Sequence, residues 1–152
     1  MTVRPIVSLL SGPNLNLLGE REPEVYGTDR LDELVEAATR RGEQLGLSIE
    51  HVQSNHEGDL VDAVQSARGR TAAIIINPAA YTHSSWALHD ALAAYDGHVV
   101  ELHLSNPAGR EPWRSTSVVA PVATATISGL GAAGYPLAVD AVASLLALDR
   151  DG

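Results

Sequence analysis

Two rhythms of apolar residues alternate along this chain, and the switches between them mark out a regular series of elements. Residues 6–10 are a short, mostly apolar run stopped by Ser11-Gly12-Pro13, which predicts a buried strand. Over residues 31–45, Leu31, Leu34, Val35, Ala38 and Leu45 recur at helical spacing; Asp29 is the expected N-cap and Gly46 the stop. A strand over 48–53 and a helix over 58–68 carrying Leu60, Val61 and Val64 follow. The pattern then predicts a strand at 72–76, a helix at 84–95, a strand at 98–104, a strand at 124–128 and a closing helix at 135–148.

Apolar strands separated by helices imply a parallel sheet covered on both faces. Five strands and about five helices suggest a flavodoxin-like three-layer α/β sandwich with a five-stranded parallel sheet. No repeat or linker interrupts residues 1–152, so one catalytic domain is expected. In such sheets ligands bind beyond the carboxyl ends of the strands, at the topological switch point. The polar groups of the loops after strands one, three and four are therefore the ones to weigh.

Composition narrows the chemistry. Apolar residues make up 45%, ordinary for a globular domain, and no run approaches the roughly 18 needed to cross a bilayer. The opening goes straight into a strand-like segment without an n-region and h-region, so the cytoplasm is the expected compartment. A net charge of −9 argues against nucleic acid as a partner. There is no Cys and no Lys, which excludes thiolate chemistry, a Schiff base and a P-loop lysine. No ligand spacing for a metal is present, and His51 and His56 are expected at the surface or the edge of a site.

The loop over residues 12–27 is long for a strand-to-helix connection and carries Arg21 and Tyr26. A phenol that is to act as a base at pH 7 needs about 4 kcal/mol of selective stabilisation of its anion, which nearby arginines could supply. The alternative is a Tyr that packs the loop beside a solvated Arg. After strand three, Thr82, Ser84 or Ser85 can cap the next helix, and His83 is the unusual neighbour. In strand four Glu101 and His103 are two apart, hence on one face. A carboxylate in a buried strand is costly unless paired. Glu101 could orient His103 towards a ligand, or the two could form a purely structural pair. Ser105, Arg110 and Arg114 add donors beyond them. Gly129-Leu130-Gly131-Ala132-Ala133-Gly134 matches G-x-G-x-x-G, but 18 residues after it leave no room for a second strand with its ribose-binding acid. Close helix–strand packing accounts for these glycines.

Read in order, the segments from Gly12 to Gly27, Gln53 to Gly58, Asn77 to Ser85, Glu101 to Asn106 and Gly129 to Tyr135 closely resemble the motif blocks of the type II dehydroquinases. The likeness covers nearly the whole chain. It implies dehydration of 3-dehydroquinate to 3-dehydroshikimate, the third step of the shikimate pathway, by anti elimination through an enolate and without a cofactor. By that resemblance Tyr26 is the base and His103 the general acid, oriented by Glu101. Arg21 sits on the lid and helps ionise Tyr26, and Asn14 holds the water that bonds the enolate oxygen. Asn77, His83, Arg114 and the backbone N–H groups of Leu104 and Ser105 hold the substrate's hydroxyls and carboxylate. Asp90 lies seven residues, about 10 Å of helix, beyond His83 and is not expected to reach its own subunit's site. The resemblance implies that it serves a neighbouring subunit within trimers that build a homododecamer.

Pro107-Ala108-Gly109, Pro112-Trp113 and Ser115 depart from residues common in that family. Other readings are a flavodoxin-like binding module or another cofactor-free lyase or isomerase acting on a related hydroxy acid. A receiver module would need an acidic cluster after strand one and a lysine, and a flavin carrier a Ser/Thr/Gly-rich loop; the residues here are Asn, Arg and Tyr.

Overall fold

The computed structural model describes residues 3–152; Met1 and Thr2, the start of the expected single domain, lie outside the described residues. Five strands, β1 (Ile6–Ser11), β2 (Ser48–Gln53), β3 (Ala73–Asn77), β4 (His98–His103) and β5 (Ala125–Ser128), form one sheet in the order β2-β1-β3-β4-β5. Every neighbouring pair is parallel. The α-helices are α1 (Pro23–Tyr26), α2 (Leu31–Gln44), α3 (Glu57–Ala67), α4 (Trp86–Ala93) and α5 (Gly134–Asp151). This is the flavodoxin-like arrangement expected from the alternating rhythms.

The period of two along the strands divides the core into two layers. Val7 and Leu9 of β1, Ile75 of β3 and Val100 and Leu102 of β4 pack with Leu34 and Ala38 of α2 and Ala138, Val139 and Val142 of α5. The alternate residues Leu10, Ile74, Ile76 and Val99 pack with Leu60 and Val64 of α3 and Leu88 and Leu92 of α4. A buried side chain of this size contributes about 1.5–3 kcal/mol, so burying both faces of the sheet supplies the main drive for folding. Val99 sets the parity of β4: Glu101 and His103 lie on the α3/α4 side with it, two and four residues on. Ser11 and Asn77 point the other way, onto Tyr135 of α5.

Two local expectations differ from the structure. The N-cap of α2 is Arg30, in extended conformation and without a side-chain cap bond, rather than Asp29. Asp32, inside the first turn, accepts the Glu33 amide at 3.0 Å instead, and acidic groups there suit the helix dipole. By length and apolarity α5 passes for a membrane span, against the expectation that no segment would. Its apolar stripe is spent on the core, and its Asp140 pairs with Arg41 of α2 at 2.7 Å. At the other end of α2, Gly46 takes φ +76° just beyond the last turn, as a helix stop requires.

The chain passes from β1 to β2 on one side and to β3 on the other, so the switch point lies at the carboxyl ends of β1 and β3.

Candidate active site

At the switch point two loops cross. The Gly12 amide donates to the Asn77 carbonyl at 2.8 Å, and a Cβ on Gly12 would sit 2.6 Å from the Pro78 oxygen. Only glycine allows that approach. On either side Asn14 (φ 67°) and Ala79 (φ 52°) adopt the left-handed conformation, which costs a non-glycine residue roughly 1–2 kcal/mol. Both line the same cavity, and strain of this kind clusters where geometry matters for function. Asn55 braces the crossing: its Oδ1 accepts the Asn14 amide at 3.0 Å, and its carbonyl accepts the Tyr81 hydroxyl at 2.7 Å.

Tyr26 ends the one-turn helix α1, which starts at Pro23 after a left-handed Glu22. Arg110 donates from one terminal nitrogen to the Tyr26 hydroxyl at 2.9 Å and to Ser105 Oγ at 3.2 Å. Arg21 stands over the Tyr26 ring with its guanidinium carbon 5.1 Å from the centroid, and pairs with Glu22 at 3.3 Å. Both cations thus flank the phenol, but Arg110 alone bonds its oxygen among the described residues. The resemblance implies that Arg21 helps to ionise Tyr26 and leaves open which arginine contacts it.

Across the cavity, at the end of β4, His103 Nε2 lies 2.5 Å from Glu101 Oε2. Glu101 is 2% exposed. Burial pushes its carboxyl pKa up, but hydrogen bonds from His103, Thr82 and Ser117, and the charge of His103, outweigh it and hold the carboxyl below its ordinary value. Ionising a buried carboxylate costs several kcal/mol, and bonds to a charged acceptor return roughly 1.5–3 kcal/mol each, so three donors suffice. With Nε2 bound to Glu101, Nδ1 is the ring nitrogen left for a ligand.

The remaining wall combines the residues expected to bind a substrate. Asn77, 2% exposed, has its Oδ1 fixed by the Ala79 amide at 3.2 Å. His83 bonds the Thr116 carbonyl through Nδ1 at 2.7 Å and meets Trp113 edge-on at 5.1 Å. Arg114 lies over the Trp113 ring at 4.2 Å, with Nε 2.5 Å from Glu111. The carbonyls of Leu104 and Ser105 are taken by the amides of Gly131 and Gly129, at 3.0 Å each. Tyr26, His103, Asn14, Arg21, Asn77, His83, Leu104, Ser105 and Arg114 all line one cavity, with Glu101 directly behind it. Asp90 does not: it is exposed on α4, and Trp86, four residues earlier, is 63% exposed. A cavity at the switch point that joins an arginine-bonded phenol to a carboxylate-bonded imidazole is equipped to move two protons on one small polar molecule.

The sequence profile of the family described as dehydroquinase class II matches residues 5–143. The chain belongs to that family. It is 53% identical over 144 residues to the 3-dehydroquinate dehydratase of Caulobacter sp. (strain K31), covering 95% of this chain and 97% of that one. It is 52% identical over 139 residues to the 3-dehydroquinate dehydratase of Phenylobacterium zucineum, covering 91% and 96%. The crystal structure of type II dehydroquinase from Butyrivibrio crossotus superposes with a TM-score of 0.90 at 39% identity, over 93% of this chain and 99% of that one.

Within this dehydroquinase fold three residues carry contacts that the sequence pattern did not reveal. Thr82, weighed as a helix cap, bonds Glu101 Oε2 at 2.7 Å; the cap of α4 is Ser85, whose Oγ accepts the Leu88 amide at 3.0 Å. Ser117 bonds the same carboxylate at 2.9 Å and 3.1 Å. In the sequence pattern Arg110 is one of several general donors. Its proximity to Tyr26 spans 84 positions in the chain, and no local periodicity reports such a contact. Of the glycines in the G-x-G-x-x-G segment, Gly134 serves packing, since a Cβ there would lie 3.0 Å from Leu102 Cδ1, whereas Gly129 (φ +84°) and Gly131 (φ +59°) take the left-handed backbone.

Proposed function

We propose that this protein dehydrates 3-dehydroquinate to 3-dehydroshikimate, the third step of the shikimate pathway, by anti elimination through an enolate. The observation that carries the reading is the presence in one cavity of Tyr26, bonded through its hydroxyl to Arg110, and His103, bonded to Glu101. As the phenolate, Tyr26 takes the proton from C2, beside the C3 ketone, and the electron pair moves onto the C3 oxygen as an enolate. The ketone then re-forms as C1 and C2 become doubly bonded. The C1 hydroxyl leaves with a proton from His103, as water. The Tyr26 proton and the His103 vacancy cancel before the next turnover.

Protein groups alone supply what this reaction demands. A proton next to a ketone is acidic enough for a positioned base and a stabilised enolate. Arg110 on the hydroxyl and Arg21 over the ring place two cations beside the phenol oxygen that carries the charge of the base. Asn14 holds a water against the enolate oxygen. Asn77, His83, Arg114 and the Leu104 and Ser105 amides hold the hydroxyls and the carboxylate.

The active form is a homododecamer of four trimers in which Asp90 reaches a neighbouring subunit's site. Asp90 is exposed, away from its own cavity, on the helix face that also carries the exposed Trp86. Light scattering with activity on the same fractions checks this: a fully active monomer would sink it.

The reaction itself is tested by mixing the protein with 3-dehydroquinate in the presence of a chelator and following the ultraviolet absorbance of the conjugated product. Tyr26→Phe and His103→Ala should each lower kcat by about 10²–10⁴. Absence of product with a folded, oligomeric wild type would transfer the motifs to a related hydroxy acid.

A further inference from the structure

Glu101 engages more than the imidazole of His103. Three side chains converge on its carboxylate: His103 at 2.5 Å, Thr82 Oγ1 at 2.7 Å and Ser117 Oγ at 2.9 Å on Oε2, with Ser117 also 3.1 Å from Oε1. A hydroxyl has one proton and two lone pairs. The lone pairs of Ser117 are engaged by the amides of Val119 (3.2 Å) and Ala120 (3.0 Å), so its proton must point into the cluster. Thr82 lies 2.7 Å from Ser117. With the Ser117 lone pairs taken, the Thr82 proton goes to Glu101. With the imidazole donating from Nε2, every neighbour of the carboxylate is a donor, an arrangement that favours the anion of Glu101.

Ser117 is itself locked in place. Its neighbours bridge to the segment that carries His83 and Thr82: Thr116 O accepts from His83 at 2.7 Å, and the Val118 amide donates to Thr82 O at 2.7 Å. His89 of α4 bonds the Val118 carbonyl at 2.7 Å. A stretch with no regular secondary structure is thereby fixed tightly enough to aim one hydroxyl.

We propose that Ser117 and Thr82 are positioning residues for proton delivery by His103, holding Glu101 ionised and turned so that the imidazole presents Nδ1 to the substrate. The inference rests on the reading of His103 as the acid. Neither hydroxyl lines the substrate cavity, so both act through Glu101 and bear on turnover, with substrate binding left intact.

The test is kinetic, on the full-length oligomer with 3-dehydroquinate. Thr82→Val is the main variant, because valine preserves the shape of a fully buried residue. Ser117→Ala accompanies it and carries the test if Thr82→Val does not fold. A polar cavity behind the dyad could feed a water into the space left by the serine, which makes its effect the smaller. Thr82→Val should lower kcat by roughly 10- to 100-fold, the worth of one bond to a charged group, with KM changed by less than about twofold. Thr82→Ser and Ser117→Thr keep the donor and should recover kcat to within about threefold of wild type. In a Glu101→Gln background Thr82→Val should cost less than about threefold, because the anion it serves is gone. An equal loss with or without Glu101, a rise in KM at constant kcat, or failure of the hydroxyl-bearing variants to recover activity would each overturn the proposal. His103→Ala separates the two levels. If it turns over like wild type, the reading of the acid has failed; if it is inactive while Thr82→Val is unimpaired, only the present inference has.

Discussion

The two groups proposed to handle protons in this site are held in opposite ways. His103 sits at the end of a central strand, and its partner Glu101 is 2% exposed with three side-chain donors around it. Tyr26 ends a four-residue helix inside a 16-residue loop, is partly exposed, and among the described residues has one hydrogen bond to its oxygen, from Arg110. A helix of one turn has no cooperative stability of its own. The proposed acid is therefore built into the sheet, and the proposed base is brought to the cavity by a segment that tertiary contacts alone hold down. The difference suits their tasks: an orienting carboxylate works only if nothing around it moves, whereas the loop carrying the base must leave substrate a way in.

The base side yields the largest effect. If the bond to the phenol oxygen matters more than a cation over the ring, Arg110→Met should lower kcat by roughly 30- to 100-fold, and Arg21→Met by less than about tenfold. Steady-state kinetics on the two variants side by side decide it. A larger loss from Arg21→Met would give that residue the principal role and would mean that substrate rearranges the pair.

This ordering of the arginines also marks where the sequence stops being legible. Strand positions 48–53 and the two-residue spacing of Glu101 and His103 could be read because apolar burial and the strand period act locally. The switch-point rule located the site from element order alone. Residues 105–123 could not be read in the same way, since they run through three short 3-10 turns, Pro107–Gly109, Pro112–Ser115 and Ala120–Val122, with no apolar period. Arg110 and Ser117 both come from that stretch. The contact of Thr82 is illegible for a related reason: Thr82, Ser84 and Ser85 all suit a cap, Ser85 takes it, and only the sheet brings Glu101, 19 positions away, to the Thr82 hydroxyl. The left-handed Ala79 carries no mark in its residue type, whereas Gly12 does.

The acid side gives the next effect, on stability. Glu101 titrates below its ordinary value near 4.5 in the folded protein, so between those two pH values the unfolded chain binds more protons. Its contribution is complete above the ordinary carboxylate range and is lost as pH falls through the lowered value. Glu101→Gln cannot accept all three donors and should destabilise the protein by about 1–3 kcal/mol at neutral pH. The gap to wild type should narrow on acidification, as denaturant titrations at stepped pH would record. A gap that stays constant down to the acid limit would mean that the carboxylate is not the species the cluster selects.

The smallest effect lies on the far side of the sheet, where His51 of the edge strand β2 bonds Ser11 Oγ through Nε2 at 2.9 Å. Burial disfavours the imidazolium and lowers the His51 pKa from 6.5. Here too the unfolded chain takes up the proton first as pH falls, so stability is complete above pH 6.5 and declines below it, through the lowered value. His51→Gln preserves a donor towards Ser11 and does not titrate, so the difference from wild type should vary over this interval and be flat above it. From Ser11 a thread of long contacts runs on to Tyr135 at 3.4 Å and to Asn77 at 3.5 Å. Bonds at that length couple weakly, and kcat of His51→Gln should stay within about twofold of wild type. A larger fall would show that Asn77 is held through this thread, and that the proposed substrate-binding wall, like the proposed acid, depends on groups buried behind it.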